Sequence, residues 1–197
     1  MSSKTTPIIL NLIRHAPSVP AGYLYGRTDT DIDTIDSALC ANLRRLIEPV
    51  GTVFCSPAKR CQKTCLSILS AQQAHYDNDA LWEQSFGDWD GLAFDSLPDV
   101  GVMTDDELVK FAPPHGESFY ELCQRVHPLL RQLCENSQSD SLTFFVHAGV
   151  IRAALALAFH NMPAALKCEI DTLSVTKLRY LGDNGFSVIS VNQVPTL

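Results

Sequence analysis

The sequence has no long hydrophobic run. No stretch approaches the roughly 18 apolar residues that a membrane-spanning helix needs, and the longest candidate, 150–159, is too short and contains Arg152. The N-terminal segment has neither the apolar length nor the small-residue cleavage site of a secretory signal. These two absences predict a cytoplasmic protein with no membrane partner.

Positive charge and paired cysteines are also scarce. Lys and Arg number 15 against 22 Asp and Glu, which gives a net charge of −7. Phosphate backbones are bound by basic surfaces, so we expect no nucleic-acid partner. The seven cysteines are odd in number and contain no CxxC pair, which is typical of reduced thiols in a cytosolic protein. We therefore expect no disulfide framework and no zinc site.

Strand-like and helix-like segments alternate along the 197 residues. The content of 46% hydrophobic and 19% charged residues is typical of a globular protein. Buried strands are predicted over 8–13, 52–55, 80–82 and 142–146, and a hairpin over 174–181 and 186–191. Helices are predicted over 37–47, 58–70 and 105–111 and after Gly116 and Gly149. This alternation predicts a single α/β domain spanning 1–197, with helices on both faces of a mainly parallel sheet.

Cationic side chains follow three of the predicted strands. Arg14 and His15 end the first strand, Arg60 lies in the first turn after the second, and His147 follows the strand at 142–146. The carboxyl ends of parallel strands meet at one edge, where α/β folds bind ligands. Two arginines and two histidines without a carboxylate partner favour an anion, and guanidinium groups match phosphate oxygens. The amide of Gly149, at a helix N-terminus, adds a candidate donor.

The two imidazoles indicate the chemistry. One neutral histidine can attack phosphorus while the remaining cations neutralise the transition-state charge. The leaving alkoxide then needs a proton, for which Glu83 is the preferred carboxylic acid, with Asp88 and Asp90 as weaker candidates. Two histidines beside two arginines suit a divalent cation poorly, so we expect no metal and no cofactor.

Five ordered motifs resemble those of the histidine phosphatase superfamily, also called phosphoglycerate mutase-like. They lie at 12–15 (LIRH, similar to RHG), 56–64 (SPAKRCQKT), 81–91 (LWE…FGDWDG), 116–126 (GES…RV) and 145–152 (FVHAGVIR, similar to VSHGGVIR). The resemblance covers nearly the whole chain. It implies the three-layer α/β/α sandwich of that family.

The resemblance also implies roles for individual residues. It makes His15 the phosphorylated nucleophile and Glu83 the proton donor and later base, with Arg14, Arg60 and His147 as the phosphate pocket. Within the family, the 86–89 loop and the GES…RV helix look most like the α-ribazole phosphatase branch of cobalamin biosynthesis.

The chain leaves the family pattern after His15, where Ala16-Pro17 replaces the usual Gly-Glu. We therefore look for the substrate along the 23–27 loop and take Gly26 and Arg27, with Gly149, as candidate substrate-binding residues. The favoured function is hydrolysis of a small phosphate ester such as α-ribazole 5'-phosphate. A phosphoglycerate mutase-type phosphoryl transferase and an inactive phosphate-binding module remain alternatives, and a homodimer remains open.

Overall fold

A computed structural model of the chain describes residues 7–69 and 75–196. The strands are β1 (Ile8–Arg14), β2 (Ser18–Val19), β3 (Asp31–Ile32), β4 (Thr52–Cys55), β5 (His75–Asp77), β6 (Ser141–Val146), β7 (Val175–Tyr180) and β8 (Phe186–Gln193). The α-helices are α1 (Ser37–Leu46), α2 (Lys59–Ile68), α3 (Asp105–Lys110), α4 (Phe119–Asn136), α5 (Ala148–Phe159) and α6 (Met162–Leu166). Short 3-10 helices cover Asp79–Leu81, Gly87–Trp89, Phe94–Ser96 and Gly182–Asn184.

The central sheet has the strand order β5-β4-β6-β1-β7-β8, and β2 pairs with β3 in a separate two-stranded sheet. The first four of these strands are parallel, while β7 and β8 complete the sheet as an antiparallel pair. Helices α4 and α5 pack on one face and α1 and α2 on the other. This mixed, mainly parallel sheet between helical layers confirms the predicted α/β sandwich.

Alternation along β1 explains the two layers. Leu10 and Leu12 belong to the core beneath α4 and α5, whereas Ile13 belongs to the core beneath α1 and α2. All three side chains are fully buried, and each contributes roughly 1.5–3 kcal/mol by leaving water. Both faces of β1 are covered, which is why its sequence is largely apolar rather than alternating, with the buried Asn11 as the one polar residue before Arg14.

One predicted strand is wrong. Residues 80–82 belong not to a strand but to the end of the 3-10 helix Asp79–Leu81, and the sheet edge is formed instead by β5. The cause is local, because the side chain of Asn78 accepts a hydrogen bond from the amide of Ala80 and turns the chain. The other predicted strands and helices are confirmed to within two residues. Residue 70, the predicted end of α2, lies outside the described residues.

Strand register places the predicted site residues at one edge. Arg14 on β1 pairs with Val146 on β6, and Cys55 on β4 pairs with Phe145 on the same strand. Residues 15, 56 and 147 follow directly, so they leave the sheet side by side. In the part of the chain that the structure describes, no helix combines the length and apolarity needed to cross a membrane.

Candidate active site

A cavity of about 340 Å³ opens at this edge of the sheet. Its wall carries the charged or titratable side chains Arg14, His15, Glu83 and Arg152. It also carries the aromatic side chains Tyr23, Tyr25, Phe86 and Phe94. The cavity therefore combines charged groups, two of them from the end of β1, with aromatic groups, two of them from the 17–25 loop.

His15 lines this cavity, and one of its two ring nitrogens is already engaged in a hydrogen bond. Its Nδ1 is 2.7 Å from the carbonyl oxygen of Ala16. A carbonyl only accepts, so Nδ1 carries the hydrogen and the neutral ring has its lone pair on Nε2. Burial, followed by the positive charge of Arg60, lowers the pKa of His15 to about 3. His15 is thus a neutral imidazole near pH 7, with a nucleophilic nitrogen available.

Two guanidinium groups line the cavity together with His15. Arg14 Nη1 donates to the carbonyl of Ile170 at 2.5 Å, and Arg152 Nε donates to the carbonyl of Cys168 at 3.0 Å. Burial is the main reason that the pKa of Arg14 is lowered, while the charge of Glu83 opposes that shift. Sequence reasoning missed Arg152 as a site residue. The available signal was its place one helical turn after Ala148, as a lone cation in an apolar helix.

Arg60 is fully buried and is not among the described residues that line the cavity, so its contact with a bound phosphate stays a prediction. Its Nη2 donates to the carbonyl of Gly26 at 2.8 Å and its Nη1 to that of Thr28 at 3.0 Å, while Nε has no hydrogen-bond partner in the described part of the chain. Among the described residues, no carboxylate forms an ion pair with it. Because carbonyl groups bring no negative counter-charge, a guanidinium bound by them favours an anion nearby.

The loop that holds Arg60 is itself fixed by Asp90. The Asp90 carboxylate accepts hydrogen bonds from the backbone amides of Gly26, Arg27 and Thr28 at 3.0, 2.5 and 3.1 Å. These contacts point the carbonyls of the loop toward Arg60. Asp90 is therefore occupied as a loop anchor, and sequence reasoning did not assign it this role.

Gly26 and Arg27 lie outside the described lining of the cavity. A side chain at position 26 would meet the carbonyl oxygen of Gln84 at 2.3 Å, so glycine permits this close approach. The Arg27 guanidinium lies 5.5 Å from the centre of the Trp82 ring. Substrate contacts by these two residues stay predictions.

His147 is fully buried between His15 and Trp82. Its ring centre is 5.1 Å from that of His15 and 6.5 Å from that of Trp82. Nε2 lies 2.8 Å from the hydroxyl oxygen of Ser56. Burial first, and the charge of Arg60 second, lower the pKa of His147 well below its ordinary value. His147 is thus a second neutral imidazole, placed edge-on to the first.

Glu83 also lines this cavity, and it lies in the loop that follows the 3-10 helix Asp79–Leu81. Its Oε1 accepts from the amide of Gln84 at 2.9 Å, and its Oε2 accepts from the amide of Gly149 at 3.2 Å. The Gly149 amide therefore orients the carboxyl group, where the sequence suggested a phosphate donor. Asp88, a weaker sequence candidate, instead lies beside His115 in an exposed pair.

Over residues 7–69 and 75–196, no group of three or more His, Cys, Asp or Glu side chains is arranged to hold a metal ion. In the part of the chain that the structure describes, no two cysteines form a disulfide bond. Cys61 contacts the His147 ring, with its sulfur 3.5 Å from Nε2. Burial raises the pKa of that thiol, so it packs as a small apolar group.

The buried neutral histidines should make folding stability fall in acid. An unfolded His15 takes up a proton near its ordinary pKa of 6.5, while the folded residue does so only near about 3. The unfolded state thus binds more protons between these values, and the free energy of unfolding decreases as pH falls below 6.5. The expected slope is up to about 1.4 kcal/mol per pH unit for one such histidine.

Urea unfolding at pH 7, 6 and 5 measures this dependence. The variant His15→Asn lacks the titrating ring and should show a shallower decrease than the wild type. His160→Asn, at an exposed helix end, is the matched control and should keep the wild-type slope. Equal slopes for wild type and His15→Asn would contradict the assigned neutral state.

Gly149 permits the close approach of Glu83, so Gly149→Ala should displace that carboxyl group. A Cβ atom at position 149 would lie 2.2 Å from Glu83 Oε1 and 3.0 Å from Leu122 Cδ2. We expect kcat/KM for an alkyl phosphate ester to fall by about 10- to 100-fold, because displacements near 1 Å have effects of this size. Steady-state kinetics of Gly149→Ala, Glu83→Gln and the double variant test the cause. The double variant should lose no more than Glu83→Gln alone, whereas additive losses would show that the glycine acts elsewhere.

A family model and several solved structures match this chain. The family model described as "Histidine phosphatase superfamily (branch 1)" matches residues 10–193. No curated protein sequence matches the chain significantly. Among solved structures, the α-ribazole phosphatase from Shigella flexneri is similar with a TM-score of 0.80 and 22% identity, covering 96% of this chain and 98% of that one.

Two further solved structures share the fold. A mycobacterial glucosyl-3-phosphoglycerate phosphatase has a TM-score of 0.81 and 18% identity, covering 95% of this chain and 99% of its own. A phosphoserine phosphatase from Entamoeba histolytica has a TM-score of 0.77 and 19% identity, covering 94% of this chain and 97% of its own. At these identities the structural matches establish the fold, and the family model carries the assignment of the chain.

Proposed function

The chain belongs to the histidine phosphatase superfamily and is a phosphatase, and on that premise we propose that it hydrolyses a small phosphate monoester through a phosphohistidine at His15, without a metal ion. The observation that carries this proposal is the state of His15. Its Nδ1–H donates to Ala16, its ring is neutral near pH 7, and it lines a cavity with Arg14 and Glu83. The charge of the bound phosphate is met by guanidinium groups, which are always protonated.

In the first step, His15 Nε2 attacks phosphorus. The N–P bond forms as the bond from phosphorus to the leaving oxygen breaks, and Glu83, protonated for this step, gives its proton to that oxygen. The alcohol leaves, and the ring becomes a phosphorylated imidazolium whose Nδ1 keeps its hydrogen. Arg14 and Arg60 stabilise the charge on the transferring oxygens, because preorganised donors are most effective in a site with little water.

In the second step, the Glu83 carboxylate takes a proton from water as the water oxygen attacks phosphorus. The N–P bond breaks, inorganic phosphate is released, and His15 returns to its neutral form. The short contacts of Glu83 with the amides of Gln84 and Gly149 keep the carboxyl group at one place for both steps. A single acid–base group therefore serves departure of the alcohol and entry of water.

The aromatic side chains that line the cavity favour a substrate with a planar ring. Tyr23 and Tyr25 stack with ring centres 5.9 Å apart, and Phe86 and Phe94 lie in the same wall. Aromatic surfaces of this kind favour stacking on another ring over contact with a second phosphate. We therefore place α-ribazole 5'-phosphate, a benzimidazole nucleotide, first among candidate substrates, which would place the enzyme in cobalamin biosynthesis. The similarity to the α-ribazole phosphatase fold is in keeping with this choice.

A hydrolysis screen tests the proposal. Release of inorganic phosphate is measured from α-ribazole 5'-phosphate, ribose 5-phosphate, phosphoserine and 3-phosphoglycerate, each with and without EDTA. The highest kcat/KM is expected for the ribazole ester, unchanged by the chelator. A preference for ribose 5-phosphate would contradict stacking on the aromatic wall. Transfer of phosphate to 3-phosphoglycerate in place of water would support the mutase, and no turnover would support the inactive module.

A further inference from the structure

A partly buried ion pair joins α4 to the segment that carries Glu83. Arg125 Nε lies 2.7 Å from Glu117 Oε1, and its Nη2 lies 2.9 Å from Glu117 Oε2. The two side chains are only 21% and 15% exposed. The contact is therefore the two-pronged form of arginine–carboxylate pairing, which fixes orientation as well as distance.

The same guanidinium group also holds the backbone on both sides of the proposed acid. Arg125 Nη1 donates to the carbonyl of Ala80 at 2.7 Å, and Nη2 donates to the carbonyl of Glu83 itself at 3.0 Å. Glu117 Oε2 accepts from the amide of Ser85 at 3.2 Å. The pair thus clamps the backbone from residue 80 to residue 85 onto the start of α4.

Neither member of the pair is placed to bind the substrate. Arg125 and Glu117 are not among the described residues that line the cavity, and all three nitrogens of the Arg125 guanidinium are already engaged by Glu117 and by the carbonyls of Ala80 and Glu83. Whatever they contribute to the reaction must pass through the residues that they hold. The one titratable side chain carried by the clamped segment is that of Glu83.

We propose that Arg125, oriented by Glu117, is a positioning residue that sets the reach of the Glu83 carboxyl group toward the leaving oxygen. The inference rests on the proposed role of Glu83 as proton donor. Proton transfer requires donor and acceptor within hydrogen-bond distance, roughly 2.6–3.2 Å. Small movements of the 80–85 backbone should therefore weaken proton donation while leaving His15 and its attack on phosphorus intact.

Leaving-group dependence separates this role from a merely structural one. Departure of an alkyl alcohol needs the proton, whereas p-nitrophenolate leaves without it. For Arg125→Met we expect kcat/KM to fall about 10- to 100-fold more for an alkyl phosphate than for p-nitrophenyl phosphate, in the direction of Glu83→Gln. Arg125→Lys keeps the charge but loses the fork, so its bias between the two esters should be intermediate.

Matched variants make each outcome decisive. Lys167→Met removes the exposed pair with Asp105 and should change neither ester. If Glu83→Gln shows the leaving-group bias but Arg125→Met loses both esters equally, the positioning role is overturned. If Glu83→Gln itself shows no bias, the proposed acid is wrong, which is a different failure. Should Arg125→Met not fold, Glu117→Gln gives the same comparison, and equal losses there overturn the inference.

Discussion

Replacing His15 with alanine should abolish the covalent intermediate and reduce turnover by about 10⁴-fold or more, the scale seen when a catalytic nucleophile is removed. The reason is that only one nitrogen of the His15 ring is available to attack phosphorus. Nδ1 is hydrogen-bonded to the carbonyl of Ala16 and burial keeps the ring neutral, so Nε2 is the atom that bonds phosphorus. His147 cannot substitute, because its Nε2 is beside Ser56 and its ring is fully buried.

The measurement is trapping with a ³²P-labelled ester followed by denaturation. Wild-type protein should carry a label that is lost in acid and kept in base, as expected of a phosphohistidine, and His15→Ala should carry none. His160→Asn, which changes a histidine outside the cavity, is the control and should label like the wild type. Label or turnover that survives in His15→Ala would contradict the assignment of the nucleophile.

The sequence was sufficient for the parts of the site that depend on strand ends. Arg14 and His15 follow an apolar run, and His147 follows another. The parallel register of β1 and β6 then brings them together without any further information. A largely apolar strand that ends in a charged residue predicts that this residue lies at the edge of the sheet, because Arg is rarely buried without a partner. For these residues, the local sequence pattern and the fold topology predict the same position at one edge of the sheet.

The sequence was not sufficient where contacts join distant segments through side chain and backbone. Asp90 anchors the loop at 26–28, more than sixty positions earlier in the chain. Gly149 gives its amide to Glu83, so the helix N-terminus orients an acid where the sequence suggested a phosphate donor. In the sequence, Arg152 is simply a charged residue within an otherwise apolar helix. None of these contacts follows from the spacing of residues alone, since each joins segments that are separate in the sequence.

Arg60→Met is the second change with a large expected effect, and it should separate binding from stability. Over residues 7–69 and 75–196, the fully buried guanidinium has only the carbonyls of Gly26 and Thr28 as hydrogen-bond partners. Its removal leaves two carbonyls unpaired, at about 1–3 kcal/mol each, but also removes a desolvated charge worth several kcal/mol. Because these terms oppose each other, the free energy of unfolding of the phosphate-free protein should change by no more than about 2 kcal/mol.

Activity and anion binding should respond far more strongly. Loss of one preorganised charge at the transferring oxygens is expected to lower kcat/KM by about 10²- to 10³-fold. Thermal unfolding with and without orthovanadate measures the ligand contribution, which for the wild type at 100 times the dissociation constant is about 2.7 kcal/mol. Arg60→Met should lose this stabilisation, and Arg60→Lys should keep part of it because the charge remains without the fork. If Arg60→Met kept both the vanadate stabilisation and normal turnover, Arg60 would be a structural arginine, and the phosphate would be held by Arg14 and Arg152 at the cavity wall.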